Sequence, residues 1–340
     1  MYSFLNDYSE SAHPNVLKAL VDTNMEQLEG YGFDEHCQAA TARIKEKLAC
    51  QNVDVHFLTG GTQVNHVAAA AFLTAIDGVV CADTAHIHVH ETGSVEASGH
   101  KLIVFPNENG KLTPAHLLAA LAENAQEHTP RARMVYISNT TETGSIYTKA
   151  ELQALHTICK ANDMLLFIDG ARLGSALAYA PANLTFADLP TLCDAFYIGG
   201  TKNGALFGEA LVVVNDTLKP NFRRHMKQRG AILAKGKVLG AQFNALFEGD
   251  LYMQLARHAN AMADMLREGI AAKGYSFQYE SFSNQIFPIF PDEVLEKIGQ
   301  QFVYGLPVPV APGQTGVRLV TSWATDKAQV QAFLNLLAGC

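Results

Sequence analysis

The sequence predicts an α/β protein, with a large domain built on a mostly parallel sheet and a smaller C-terminal α+β domain. Short apolar runs rich in β-formers alternate with helical patterns, as a sheet layered with helices requires. Several runs are apolar at successive positions, which fits strands covered on both faces. After about residue 240 this rhythm gives way to a different one.

The expected strands are DVHFL (54–58), VVC (79–81), KLIVF (101–105), RMVYIS (133–138), MLLFI (164–168), AFYI (195–198) and ALVVV (210–214). Between them, segment 36–48 spaces Ala40, Ile44 and Leu48 four apart, TPAHLLAALAEN opens on a Thr-Pro helix entry, and KAELQALHTICKAND covers 149–163. Beyond 240 come the helical stretch LYMQLARHANAMADMLREGIAAKG, the apolar runs QIFPIF and GVRLVTSW, and a closing helix from Asp326. The domains are therefore set at 1–245 and 246–340.

A chain of 340 residues, 48% hydrophobic, has ample core for a large domain plus a smaller one. Its net charge of -8 comes without a basic run, which argues against nucleic-acid binding. Six scattered cysteines with no CxxC pair and no secretory leader suggest a reducing, cytoplasmic setting. Apolar stretches such as VAAAAFLTAI fall short of the roughly 18 residues that read as a membrane span, so no membrane partner is expected.

The chemistry centres on two strand ends. Asp169 follows the run MLLFI in MLLFIDGARLG, and Lys202 follows AFYI in AFYIGGTKNG. A strand-end carboxylate and a lysine just past the next strand suit pyridoxal phosphate (PLP): the amine forms an imine, and the carboxylate keeps a proton on the pyridine nitrogen. Taken singly, Lys202 would pass for a surface lysine and Asp169 for a helix cap. Together they point to a PLP enzyme.

LTGGTQVNH opens an Ala-rich helix after the first strand and presents Gly60, Gly61 and Thr62 as a backbone cradle for a phosphate. His86, His88 and His90 would share one face of an extended chain, but no neighbouring Cys or Asp completes a ligand set, so no metal is expected. An imidazole there can instead lie flat over the pyridine ring. Arg318, inside the apolar run GVRLVTSW, reads either as a clamp on a substrate carboxylate or as an interdomain ion pair. Arg172 offers a second contact to that carboxylate or to the cofactor.

These residues, with YGFD (Tyr31–Asp34), GGT-x-x-N (Gly60–Asn65), H-I-x-x-x-E-x-G (His86–Gly93), IDGARL (to Leu173), the lysine motif Thr201–Asn203 and RLVTSW, resemble the threonine aldolase and aromatic amino acid β-eliminating lyase family over nearly the whole chain. The resemblance implies the PLP-dependent transferase-like fold (fold type I) of the aspartate aminotransferases. It implies Lys202 as Schiff-base lysine, Asp169 as partner of the pyridine nitrogen and His86 as the stacking imidazole. Gly60, Gly61, Thr62 and Thr201 would lie at the cofactor, and Arg172 and Arg318 at the substrate carboxylate. Tyr31 and Thr141 would also face substrate, as would Asn6, which aligns with a family serine. Family enzymes are homotetramers, dimers of dimers, in which a basic residue from a neighbouring subunit reaches the phosphate; Arg229 or Lys235 would fill that role.

One departure bears on mechanism. Where many members read E-N-T-H, this chain reads Ser138-Asn139-Thr140-Thr141. Threonine is no general base near neutral pH, so removal of the hydroxyl proton falls to His86, another nearby histidine or a phosphate-held water. The expected activity is low-specificity L-threonine aldolase, cleaving threonine, allo-threonine or phenylserine-type substrates to glycine and an aldehyde. Alternatives are a β-eliminating lyase acting on aromatic amino acids and a PLP-binding protein without turnover. A dinucleotide-dependent oxidoreductase lacks its G-x-G-x-x-G turn.

Overall fold

A computed structural model describes residues 1–339. The strands, in chain order, are β1 (Tyr2–Ser3), β2 (Asp54–Leu58), β3 (Asp77–Ala82), β4 (Lys101–Phe105), β5 (Arg131–Ser138), β6 (Leu165–Asp169), β7 (Ala195–Gly199), β8 (Glu209–Val213), β9 (Gln285–Ile286), β10 (Ile289–Pro291), β11 (Phe302–Val303), β12 (Gly305–Ala311) and β13 (Gln314–Val320). Seven of them form one sheet in the order β2-β8-β7-β6-β5-β3-β4. Only β8 runs against its neighbours, pairing antiparallel with both β2 and β7. The mostly parallel sheet is as expected.

Successive residues of each strand feed opposite faces, which explains the unbroken apolar runs. On β6, Leu166 and Ile168 enter one core while Leu165 and Phe167 enter the other. Helices cover both faces. Helix Glu35–Lys47 starts on Asp34, whose side chain accepts from the Cys37 N–H, and Lys149–Ala161 starts on a Thr148/Glu151 capping box.

The C-terminal part builds a small antiparallel sheet in which β13 pairs with β9, β10 and β12. Its core holds Phe290, Leu319 and Phe333. Two segments tie it to the large sheet. Helix Leu251–Ala271 starts with Tyr252 and Leu255 in one face core and ends with Leu266 and Ile270 in the small one. The first residues, expected in the large domain, pack in the small one: Tyr2 pairs with Phe302 and Phe4 is fully buried there. That docking carries residues 5–8 to the edge of the large sheet.

The five described cysteines are free, and no helix of the described residues is long and apolar enough to cross a membrane.

Candidate active site

In a parallel sheet the loops leaving the carboxyl ends of the strands converge on one edge. Here they enclose a cavity of about 700 Å³. Gly60 to Thr62 after β2, Thr84 and His86 after β3, Ser138, Thr140, Glu142 and Thr143 around the end of β5, Asp169, Ala171 and Arg172 around the end of β6 and Lys202 after β7 all contribute; β8, running the other way, adds its first residue, Glu209. The C-terminal part closes the cavity with Tyr279, Gln285, Phe287, Leu306 and Arg318.

Asp169 lies on the floor, buried, with four donors on its carboxylate. Tyr136 and Tyr197, from the flanking strands, each donate a phenol O–H at 2.5 Å, the Ala171 N–H donates at 3.0 Å, and Asn65 Nδ2 at 3.2 Å. Burial alone would push its pKa up, but the tyrosine hydrogen bonds and the backbone N–H outweigh it and hold the group below the usual aspartate range. The anion is fixed in place. Two glycines permit this packing: a Cβ on Gly61 would meet Tyr197 Oη at 2.7 Å, and one on Gly170 would meet the Tyr197 carbonyl at 1.8 Å.

The Lys202 amine has no hydrogen bond or ion pair within the described residues, and the Tyr8 ring centroid lies 6.0 Å away. Burial and the nearby Arg172 charge lower its pKa, against the pull of Asp7, Asp169 and Glu209. A lowered pKa supplies the neutral, nucleophilic amine. Glu209, accepting from the Gly200 N–H at 2.8 Å, is pushed up by burial to about 7.

The two arginines divide between structure and cavity. Arg172 is buried in a two-point ion pair with Asp7, Nε to Oδ2 at 2.6 Å and Nη2 to Oδ1 at 3.1 Å, and Asn284 steadies the same carboxylate at 2.9 Å. Arg318 makes no ion pair within the described residues. Its Nη1 reaches Gln285 at 3.5 Å, its Nη2 the Leu5 carbonyl at 3.3 Å, and its buried Nε has no partner. Such a cation calls for an anion.

His86 and Ala171 both line the cavity. The His86 Nδ1 pairs at 2.7 Å with buried Glu91, which also accepts from Asn65 at 2.8 Å. Burial opposes the imidazolium, yet the Glu91 hydrogen bond and Asp169 prevail and raise the pKa. Residues 86–89 form a helical turn instead of extended chain, so His86 and His90 share a side at 5.5 Å between ring centroids and exposed His88 does not line the cavity. The three histidines do not converge. The one potential metal cluster among the described residues is Glu26, Glu35 and His36, elsewhere on the surface.

The residues present suit PLP. Helix Gly61–Phe72 begins without a side-chain cap, leaving first-turn N–H groups for a phosphate. The buried hydroxyls of Thr84 and Thr140, both lining the cavity, have no hydrogen-bond partner, as expected of groups that await a ligand.

Residues 4–289 match the beta-eliminating lyase family. The chain belongs to that family. Its members are PLP-dependent, and within it the chain stands among the threonine aldolases. It is 31% identical, over 96% of its length, to the low specificity L-threonine aldolases of Pseudomonas sp. (strain NCIMB 10558) and Pseudomonas aeruginosa, covering 94% of each. A solved Leishmania major threonine aldolase superposes with a TM-score of 0.98 at 44% identity, over 100% of this chain and 99% of that one. Aspartate aminotransferase from Thermus thermophilus shares the fold alone, with a TM-score of 0.72 at 15% identity over 100% and 91% of the two chains.

Of the expected site residues, the cavity brings together Gly60, Gly61, Thr62, His86, Asp169, Arg172, Thr201, Lys202 and Arg318. Five others lie outside it. Asn6 closes the N-terminal turn, its Oδ1 accepting from the Tyr8 N–H at 2.9 Å and from Ser9 Oγ at 3.0 Å. Thr141 is buried against Ser145 Oγ at 2.8 Å and Thr143 Oγ1 at 3.1 Å, while its neighbours Thr140 and Glu142 line the cavity instead. Exposed Tyr31 donates its N–H to the Ala234 carbonyl next to exposed Lys235, and half-buried Arg229 bonds Gln228.

Sequence reading missed Asp7, Tyr8, Tyr136, Glu142, Tyr197 and Glu209 and gave no task to Asn65 or Glu91. The last two stand inside the quoted motifs, and that placement was the available signal.

Proposed function

We propose that this chain cleaves β-hydroxy-α-amino acids such as L-threonine and L-allo-threonine to glycine and an aldehyde, using PLP held at Lys202. The cofactor supplies an electron-accepting conjugated ring, and the surrounding residues decide what that ring does. The observation that carries the proposal is one cavity holding an unpaired lysine amine, a four-donor aspartate and an unpaired arginine.

Asp169 would hold a proton at the pyridine nitrogen, and His86 and Ala171, which also line the cavity, would contact the ring. The open N-terminus of helix Gly61–Phe72, with Thr62 and Thr201, would hold the phosphate. Arg318 binds the substrate carboxylate, and that anchor presents the Cα–Cβ bond for cleavage. Tyr279, Phe287, Leu306 and Val89 offer an apolar wall to the β-substituent, which supports tolerance of larger side chains. Arg172, committed to Asp7, fixes the N-terminal segment and adds positive potential near the amine.

Arg229 and Lys235, outside this chain's own cavity, fit the expected reach to a neighbouring subunit's phosphate, and Tyr31 fits a contact there instead of to this chain's own substrate. Their surface placement supports contacts to a neighbouring subunit's site in a homotetramer, consistent with exposed Phe33 and Tyr31 beside Arg223 and Lys227.

Product analysis with L-threonine tests the activity. Stoichiometric glycine and acetaldehyde are expected; 2-oxobutyrate with ammonia would assign β-elimination instead.

A further inference from the structure

We propose that Glu142 is the catalytic base that takes the β-hydroxyl proton, an inference that rests on the aldol-cleavage activity proposed above. The position where relatives of the E-N-T-H type carry histidine holds Thr141 here, locked in a buried hydroxyl cluster with Thr143 and Ser145. The next residue, Glu142, lines the cavity that holds Lys202, Arg318 and His86.

Its two oxygens are used differently. Oε1 accepts from Ser138 Oγ at 2.6 Å and from the His86 backbone N–H at 3.1 Å. No other residue among those described hydrogen-bonds Oε2, and the residue's own backbone N–H also faces the carboxyl. Two bonds on one oxygen therefore set the carboxyl's orientation, and the other oxygen remains available to substrate.

The charges around it favour that task. Burial pushes the Glu142 carboxyl up, Ser138 draws it partly back, and Asp169 pushes it further up. Its own backbone N–H and then His86 pull it down, Arg172 interacts with it as a further cation, Lys202 and Arg318 share its cavity, and Tyr136, Tyr147 and Cys81 face it as neutral groups whose own ionisation it opposes. The result is a carboxylate more basic than an ordinary glutamate. The rival histidines are less suited. His86, raised by Glu91, is biased towards the imidazolium, which has no lone pair to offer, while the exposed His90 ring has no hydrogen bond among the described residues to orient it towards substrate.

In the step, the β-O–H bond breaks towards Oε2, the oxygen's electron pair forms the aldehyde C=O, and the Cα–Cβ pair stays with Cα. A proton later returned to Cα completes glycine. One β-hydroxy amino acid gives one glycine and one aldehyde, with no external oxidant or reductant.

The test compares two reactions of the PLP-loaded enzyme. Cleavage of L-threonine or phenylserine needs the β-hydroxyl base, whereas exchange of the glycine α-proton into deuterated water, followed by NMR, does not. E142Q keeps an oxygen for Ser138 and the His86 N–H but cannot accept a proton. It should lose ~10²–10⁴-fold in kcat/KM for cleavage, the usual contribution of a general base, while glycine exchange stays within about twofold of wild type. E142D should recover part of the loss. Retained cleavage, or an equal fall in both reactions, overturns the assignment. Should E142Q not accumulate, wild-type pH profiles decide: an acid limb in cleavage that glycine exchange lacks supports Glu142, and superimposable profiles refute it. Absence of wild-type cleavage would instead refute the activity itself.

Discussion

Substituting each cavity arginine by glutamine should separate catalysis from stability. Arg318 is half-buried and, among the described residues, has no ion pair and makes hydrogen bonds of only 3.3 and 3.5 Å, with its Nε orphaned. Removing it leaves no buried acid behind, so the unfolding midpoint of R318Q should match wild type or rise slightly. Its cost should fall on the substrate carboxylate. Charge-assisted hydrogen bonds contribute ~1.5–3 kcal/mol, and at ~1.4 kcal/mol per tenfold this is roughly 10- to 150-fold in kcat/KM, chiefly through KM. Arg172 is the opposite case. R172Q strands Asp7, whose carboxylate is 1% exposed and bound through both oxygens, and breaking a buried pair in this way costs ~3–5 kcal/mol. Kinetics on L-threonine with urea or thermal unfolding of both variants checks the pair. Unchanged kcat/KM in R318Q, or a stability loss equal to that of R172Q, would refute this division.

Two further outcomes are expected. Burial holds the His56 imidazole, on β2 against Phe222, down to about 4 from 6.5, so the unfolded chain binds the proton more tightly. The related stability is complete above pH 6.5 and is lost as pH falls towards 4, on the order of 3 kcal/mol at ~1.4 kcal/mol per tenfold change in proton affinity; urea unfolding across that range should show a steeper pH dependence in wild type than in H56F, and equal slopes would exclude His56 as the source. D169N, which removes the charge that four donors surround, should lower kcat for cleavage by ~10²-fold or more, the scale seen when preorganised electrostatics are removed from a desolvated site, and a kcat near wild type would deny Asp169 its role.

The fold was legible because its signals are local. Each sheet strand is a short apolar run bounded by polar or glycine-containing turns, and Asp169 and Lys202 stand out as charged groups at the ends of such runs. What stayed hidden depends on distant contacts or on one-residue register. Asp7 meets Arg172 across 165 residues, a pairing no local pattern encodes. Tyr136 and Tyr197 read as core aromatics on buried strands, and only the sheet order, with β6 between them, aims both phenols at Asp169. Resemblance pointed to Thr141, yet the loop after β5 turns it inward and gives the cavity its neighbours. His86 lines the cavity, but its setting was not legible, since the chain there coils into a helical turn.

The most direct test of the central claim is borohydride reduction of the PLP-loaded protein, followed by peptide mapping of the labelled lysine. A single modified peptide carrying Lys202, absent from K202A, is the expected result. A protein that stays colourless with excess PLP, or a label on another lysine, would contradict the account.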